Sequence, residues 1–243
     1  MAAEDRPAFY VLASGGWRDY WNLLHPPYTI WHLSYVVIGA STASVVNLRW
    51  LGETLLAFFL GMGVAAHALD ELNGRPLRTR IPSGVLAGLA AAGVGGAVAL
   101  GVHGMVEVSA WLGLFIALGA FMVVAYNLEL FGGAFHSNLW FALAWGAFPA
   151  LTAAFAQSER IEVGAVLAAL ACAVISAAQR VLSTPVREFR RHVAGVEGVL
   201  LMRDGTSRPI DAASLRGAPE SALRWLSFAL PLLALALLIQ RLA

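Results

Sequence analysis

The chain has 243 residues, 59% of them hydrophobic and only 13% charged, with a mean hydropathy of +0.70 and a formal net charge of +1. Those values lie outside the range of ordinary soluble domains and give no basic surplus for nucleic acid, so an integral membrane protein is expected and nucleic acid is not expected as a partner. The single cysteine, Cys172, excludes an internal disulfide and a thiolate metal cluster, and a small buried apolar role is expected for it.

In chain order, residues 1 to 26 are mixed in charge and lack a compact apolar core ahead of a cleavage site, so they read as an N-terminal segment and not as a cleavable leader. A bilayer core about 30 Å thick needs roughly 20 apolar residues of helix. Seven stretches qualify, near residues 28 to 47, 50 to 70, 82 to 103, 108 to 127, 138 to 157, 162 to 180 and 222 to 242. They are apolar all round and rich in Ala, Leu and Gly, unlike the alternating strands of a membrane barrel. The expected fold is therefore all-α, a polytopic bundle of about seven transmembrane helices. Six of them fall within residues 27 to 180 and the seventh within 222 to 243, with a basic loop at 181 to 221 between.

All 16 basic residues are arginine. The seven-span arrangement puts 13 of them on the side of the N-terminus, leaving Arg49, Arg160 and Arg241 on the other. Arginine excess marks the cytoplasmic side, so a multi-pass protein with its N-terminus in the cytoplasm is predicted. The same clusters suit contact with anionic membrane lipids.

The end of the second span, "GMGVAAHALDELNGRPLRTR", places His67, Asp70 and Glu71 at i, i+3 and i+4 on one helical face. Carboxylates of this kind suit a hard cation such as Mg²⁺, and an imidazole shifts the preference toward Zn²⁺ or Fe²⁺. The alternative is a plain helix end whose acids pair with Arg75 or Arg78. Ionisable groups inside a span tend to face a bundle interior, and the fourth span ends on the same side with "YNLELFGGAFHSN". Tyr126, Asn127, Glu129 and His136 are therefore expected to meet the first cluster across a shared cavity. His25, His32, His103 and His192 are expected to be packed or interfacial, and Glu53 to sit at the opposite interface. Farther on, Pro185 is expected to break the chain ahead of a basic amphipathic helix, and "GVLLMRDGTSRPID" reads as a β-hairpin with an Asp-Gly turn.

The order of these features resembles the UbiA superfamily of intramembrane prenyltransferases, over about residues 24 to 180. "HPPYTIWHLSYVVIGA", with Pro27 and Thr29, is similar to the family's lead-in to its first helix. "AHALDELNGRP" aligns Asp70 with the last aspartate of the NDxxD motif and puts Ala66 and His67 at the preceding Asn and Asp. "YNLELFGGAFHSNLWFALAWGAFP" is similar to the loop and fifth helix. The first aspartate motif is thus altered; the second is absent from "AAQRVLSTPVREFRR", and the chain has no lysine.

The resemblance implies a bundle around a central apolar cavity, capped on the cytoplasmic side, where Mg²⁺ holds a prenyl diphosphate. On this reading His67, Asp70 and Glu71 are catalytic, and Asp70 and Glu71 bind the cation with His67 as ligand or general base. Arg75, Arg78 and Arg187 contact the anion, and Tyr126 and Asn127 contact the substrate. Two other readings stand beside it. One is a membrane enzyme with Zn²⁺ or Fe²⁺ on His67, Asp70, Glu71, Glu129 and His136. The other is a non-catalytic bundle that binds a lipid, quinone or pigment, or serves as a subunit of a membrane complex.

Overall fold

A short helix, α1 (Trp17–Leu23), leads the computed structural model, which describes residues 6–243; the first five residues of the expected N-terminal segment lie outside the described residues. Trp17, Tyr20 and Trp21 are exposed while Asp19, Asn22 and Leu23 are buried, the division expected of a helix at a membrane–water interface. Its buried polar groups fasten the surrounding chain. Asp19 accepts from the backbone N–H groups of Gly15 at 3.0 Å and Arg80 at 3.1 Å, and Asn22 exchanges bonds of 2.7 and 3.0 Å with the backbone of Leu12.

The bundle follows as α2 (Pro26–Ala40), α3 (Leu48–Leu72), α4 (Ser83–Glu107), α5 (Leu112–Asn127), α6 (Asn138–Ser158), α7 (Val163–Arg191) and α8 (Ala212–Leu242). A helix occupies each of the seven predicted stretches. Five of them, α3, α4, α6, α7 and α8, are long and apolar enough to cross a membrane, which suits a multi-pass protein. With 15 and 16 residues, α2 and α5 rise only about 22 and 24 Å, short of a bilayer core of about 30 Å. The predicted extension of α2 to residue 47 is not present: the helix ends at Ala40, and Ser41 and Thr42 follow with their hydroxyls bonded to the carbonyls of Val37 and Gly39, at 2.8 and 2.7 Å.

The short α2 is nevertheless central, with Trp31, Tyr35 and Val36 fully buried against α3, α6, α7 and α8. Lipid offers no hydrophobic incentive for helices to associate, so close approach of small residues carries the packing. At Gly39 the helix touches the backbone of Ala150 in α6, and at Gly146 α6 touches α7 beside Cys172 and Ser176. Cys172 is buried, as expected. Two π-helical stretches interrupt α3 at Phe59–Ala66 and α6 at Ala142–Ala147. Such stretches are frequent at functional sites, and here the first ends at His67 and the second contains Trp145.

Beyond the bundle, α7 continues through Pro185 to Arg191 instead of breaking. Burial of Val186 holds the helix together past the proline, and the Thr184 hydroxyl bonds the Arg180 carbonyl at 2.8 Å beside the missing backbone bond. The predicted hairpin is present, with β1 (Gly198–Leu201) antiparallel to β2 (Ser207–Ile210) and Gly205 at φ +82° in the turn. Asp204 accepts from the Thr206 N–H and hydroxyl, which holds its carboxyl below the usual range.

Candidate functional site

The loop after α3 is organised by two side chains that the sequence marks as site residues. Glu71 is fully buried; it accepts from the Leu77 N–H at 3.0 Å and from both the N–H and hydroxyl of Thr79 at 2.8 Å. Arg75 donates to the carbonyls of Thr79 at 3.3 Å and Ile81 at 2.6 Å, and to the Ser83 hydroxyl at 2.8 Å. Glu71 and Arg75 therefore fold the loop, and both are engaged by it. Arg78 is exposed, with its backbone at φ +55°. The loop reaches the end of α5 through Asn73, which donates to the Asn127 carbonyl at 3.1 Å, while the Asn127 amide is spent on Val123 at 2.7 Å.

Above that loop a polar cluster collects at the arginine-rich end of the bundle. His67 stacks on His25 with ring centroids 4.2 Å apart, and its Nδ1 lies 3.0 Å from the Gly63 carbonyl. A carbonyl can only accept, so Nδ1 of His67 carries the proton and Nε2 is left as an acceptor. Nδ1 of His25 lies 2.6 Å from the Tyr10 hydroxyl. Asp70 is within electrostatic range of Arg191, Arg187 and His136, and both Tyr10 and Tyr126 are in range of Asp70. Tyr126 stacks on His136 and meets Trp145, each at 4.4 Å. Its buried hydroxyl has no hydrogen-bond partner among the described residues, an orphan that a bound ligand would satisfy.

Tyr10 arrives on a strand of chain that crosses this end of the bundle. Arg190 donates to the Arg6 carbonyl at 3.0 Å, Arg224 lies over the Phe9 ring at 5.0 Å, and Ala8 and Val11 pack with Leu77. Phe9 and Tyr10 meet Tyr28 edge to face, at 6.4 and 5.5 Å.

Burial, with His67, Arg191 and Arg187 adding to it, holds the His25 imidazole well below its usual value. Burial likewise raises the Tyr10 hydroxyl well above its own. Tyr10 is therefore the donor and neutral His25 the acceptor. The folded protein keeps His25 neutral while the unfolded chain takes up a proton below about pH 6.5, so this contribution to stability is complete above that pH and is lost as pH falls. Because His25 sits at φ +46°, Asn is the replacement that tolerates the backbone without titrating. Melting of the purified protein between about pH 7.5 and 5.5 is expected to show a smaller acid-induced loss in His25→Asn than in the wild type.

Next to the polar cluster, an apolar cavity of about 140 Å³ lies between α3, α4, α5 and α6. Met62, Met122 and Trp145 line the end near Tyr126, and Glu53 and Thr54 line the other. Fourteen residues of α3 separate Glu53 from His67, about 21 Å of helix. At the far end Glu53 pairs with Arg49 at 3.0 Å and with His103 at 3.7 Å.

The structure thus brings together His67, Asp70, Tyr126, His136 and Arg187 of the predicted residues, and engages Glu71, Arg75 and Asn127 in holding backbone. Glu129 is half exposed, 3.9 Å from His136. Among the described residues no three of His, Cys, Asp and Glu converge as metal ligands. Both Glu71 oxygens are committed to the loop, whereas His67 keeps Nε2 as an acceptor and Asp70 keeps its carboxylate, so those two are the ligands a divalent cation would draw on here. The sequence does not single out Tyr10, Tyr28 or Arg191, and it leaves His25 as packed or interfacial. The signal for His25 and Tyr28 lay in "HPPYT", whereas nothing local marks Tyr10. No family model, curated protein or solved structure matches the chain.

Proposed function

We propose that this chain is a membrane protein that takes an amphiphile, with the anionic head at the Arg187–Asp70–Tyr126 cluster and the hydrocarbon tail in the apolar cavity. The observation that carries this reading is the junction at Trp145, whose ring touches Tyr126 on one side and lines the cavity on the other. The resemblance to UbiA prenyltransferases narrows the amphiphile to an isoprenoid diphosphate and the reaction to prenyl transfer. Arg187 and Arg191 would neutralise the departing diphosphate, and the Nε2 lone pair of His67 would receive the proton of the attacking acceptor. A non-catalytic lipid- or quinone-binding role is the second reading, favoured by the dense packing of aromatic rings around Tyr126.

The test uses the full chain in lipid nanodiscs with a photoreactive prenyl diphosphate and the matching uncharged prenol. Labelling is expected on the segments holding Met62, Met122 or Trp145. Arg187→Ala is expected to weaken the diphosphate roughly tenfold or more, since a hydrogen bond to a charged group contributes about 1.5–3 kcal/mol, and to leave the prenol unchanged. Transfer of a labelled prenyl group that is lost in Asp70→Asn supports the enzyme. Labelling without transfer supports the binding role, and absence of label from the cavity overturns both.

A further inference from the structure

Away from that cluster, an open basin of about 270 Å³ lies between the end of α7 and the start of α8, lined chiefly by Arg190, Arg216, Gly217, Glu220, Ser221 and Arg224. On α8 the residues 216, 220 and 224 follow at i, i+4 and i+8 and share one face. Glu220 is only 6% exposed and is gripped from both sides. Arg190 reaches it through Nε at 3.0 Å and Nη2 at 2.8 Å, and Arg224 through Nη2 at 2.6 Å. Arg190 and Glu220 offset one another, which leaves Arg216 and Arg224 as the further cations of the lining.

Arginines at a membrane end commonly do no more than set topology, but these differ in three respects. The Arg190 side chain is 6% exposed, so its charge is built into the protein and does not snorkel into lipid headgroups. Glu220 also holds Arg224 through Nη2, which fixes that guanidinium beside the basin in advance and removes part of the ordering cost of binding an anion. Gly217 also leaves the basin open, because a Cβ added there would meet nothing within 4 Å. One turn farther along, Trp225 and Phe228 are exposed at 75% and 67%, the aromatic belt that marks a membrane interface.

We propose that this basin binds a phosphoryl group, presented by a membrane lipid headgroup or as free phosphate. A phosphate monoester carries up to two negative charges and offers oxygens to the Arg216 and Arg224 guanidinium groups, which matches the charge and the donor chemistry of the lining. The Ser221 hydroxyl supplies a neutral donor. This site is separate from the proposed amphiphile site and does not depend on it.

The test places the full chain in nanodiscs of neutral phosphatidylcholine, alone, with phosphatidic acid added, or with inorganic phosphate in the buffer. Thermal melting and lipid retention in native mass spectrometry are the readouts. Wild type is expected to be stabilised by phosphatidic acid, by inorganic phosphate, or by both, and the arm that responds identifies the source. Arg216→Ala and the cavity-filling Gly217→Leu, which removes no charge, are each expected to weaken the effect roughly tenfold, the loss of one charge-assisted contact. Arg208→Ala on the hairpin is expected to change nothing. Equal responses in Arg216→Ala, Gly217→Leu and wild type, an equal loss in Arg208→Ala, or no response in either arm overturns the proposal.

Discussion

Glu71→Ala is expected to destabilise the protein by about 3 kcal/mol or more, read as a large drop in melting temperature in detergent. The substitution strands the Leu77 N–H, the Thr79 N–H and the Thr79 hydroxyl. Each buried group left without a partner costs about 1–3 kcal/mol. Water entering the vacated space recovers part of the loss, so the three costs do not simply add. Glu71→Gln keeps the shape and one carbonyl oxygen, and is expected to lose clearly less. A role in holding the loop also predicts protease cutting within residues 73 to 82 of Glu71→Ala before the rest of the chain opens. If Glu71→Ala melts with wild type, the loop is held by other means.

The second large effect is expected at Gly39, where α2 lies against the backbone of α6. An added Cβ would stand 2.6 Å from the Ala150 carbonyl carbon and Cα, and nearer still to the carbonyl oxygen. Backbone has no rotamer by which to yield, so the two helices must separate. Overpacking of a tight core costs about 1–3 kcal/mol and occasionally more. Gly39→Ala is expected at the top of that range, and Gly39→Leu beyond it. Gly52→Ala is the matched control, because nothing lies within 4 Å of the Cβ it adds and alanine favours helix. Indistinguishable melting of Gly39→Ala and Gly52→Ala would show that the α2–α6 contact is looser than described.

Much of the fold is legible because the bilayer imposes a length and a composition on any segment that crosses it. The stretches without charge, such as the one around Leu112–Asn127, declare themselves as helix wherever they end. Their ends are less legible. α2 ends at Ala40 with no proline to stop it, and Pro185 fails to terminate α7 because tertiary burial of Val186 outweighs one missing bond. At the site, the spacing of His67, Asp70 and Glu71 announces a shared face, but spacing is silent about what each side chain meets. Glu71 points its carboxylate at a loop a few residues ahead. His67 instead finds His25, 42 positions earlier in the chain, and Tyr10 finds His25 from a segment that no periodicity predicts. Long-range meetings of this kind depend on how helices pack, and packing here rests on small residues whose sequence signal is weak.

The crossing of residues 6 to 12 over the arginine-rich end has a practical outcome for anyone handling the protein. Trimming the first dozen residues removes the hydroxyl that hydrogen-bonds His25, and a purification handle fused ahead of that segment sits close to it. Fusions are better made after Ala243, at the far tip of α8, where the last turn is exposed and no part of the cluster is attached.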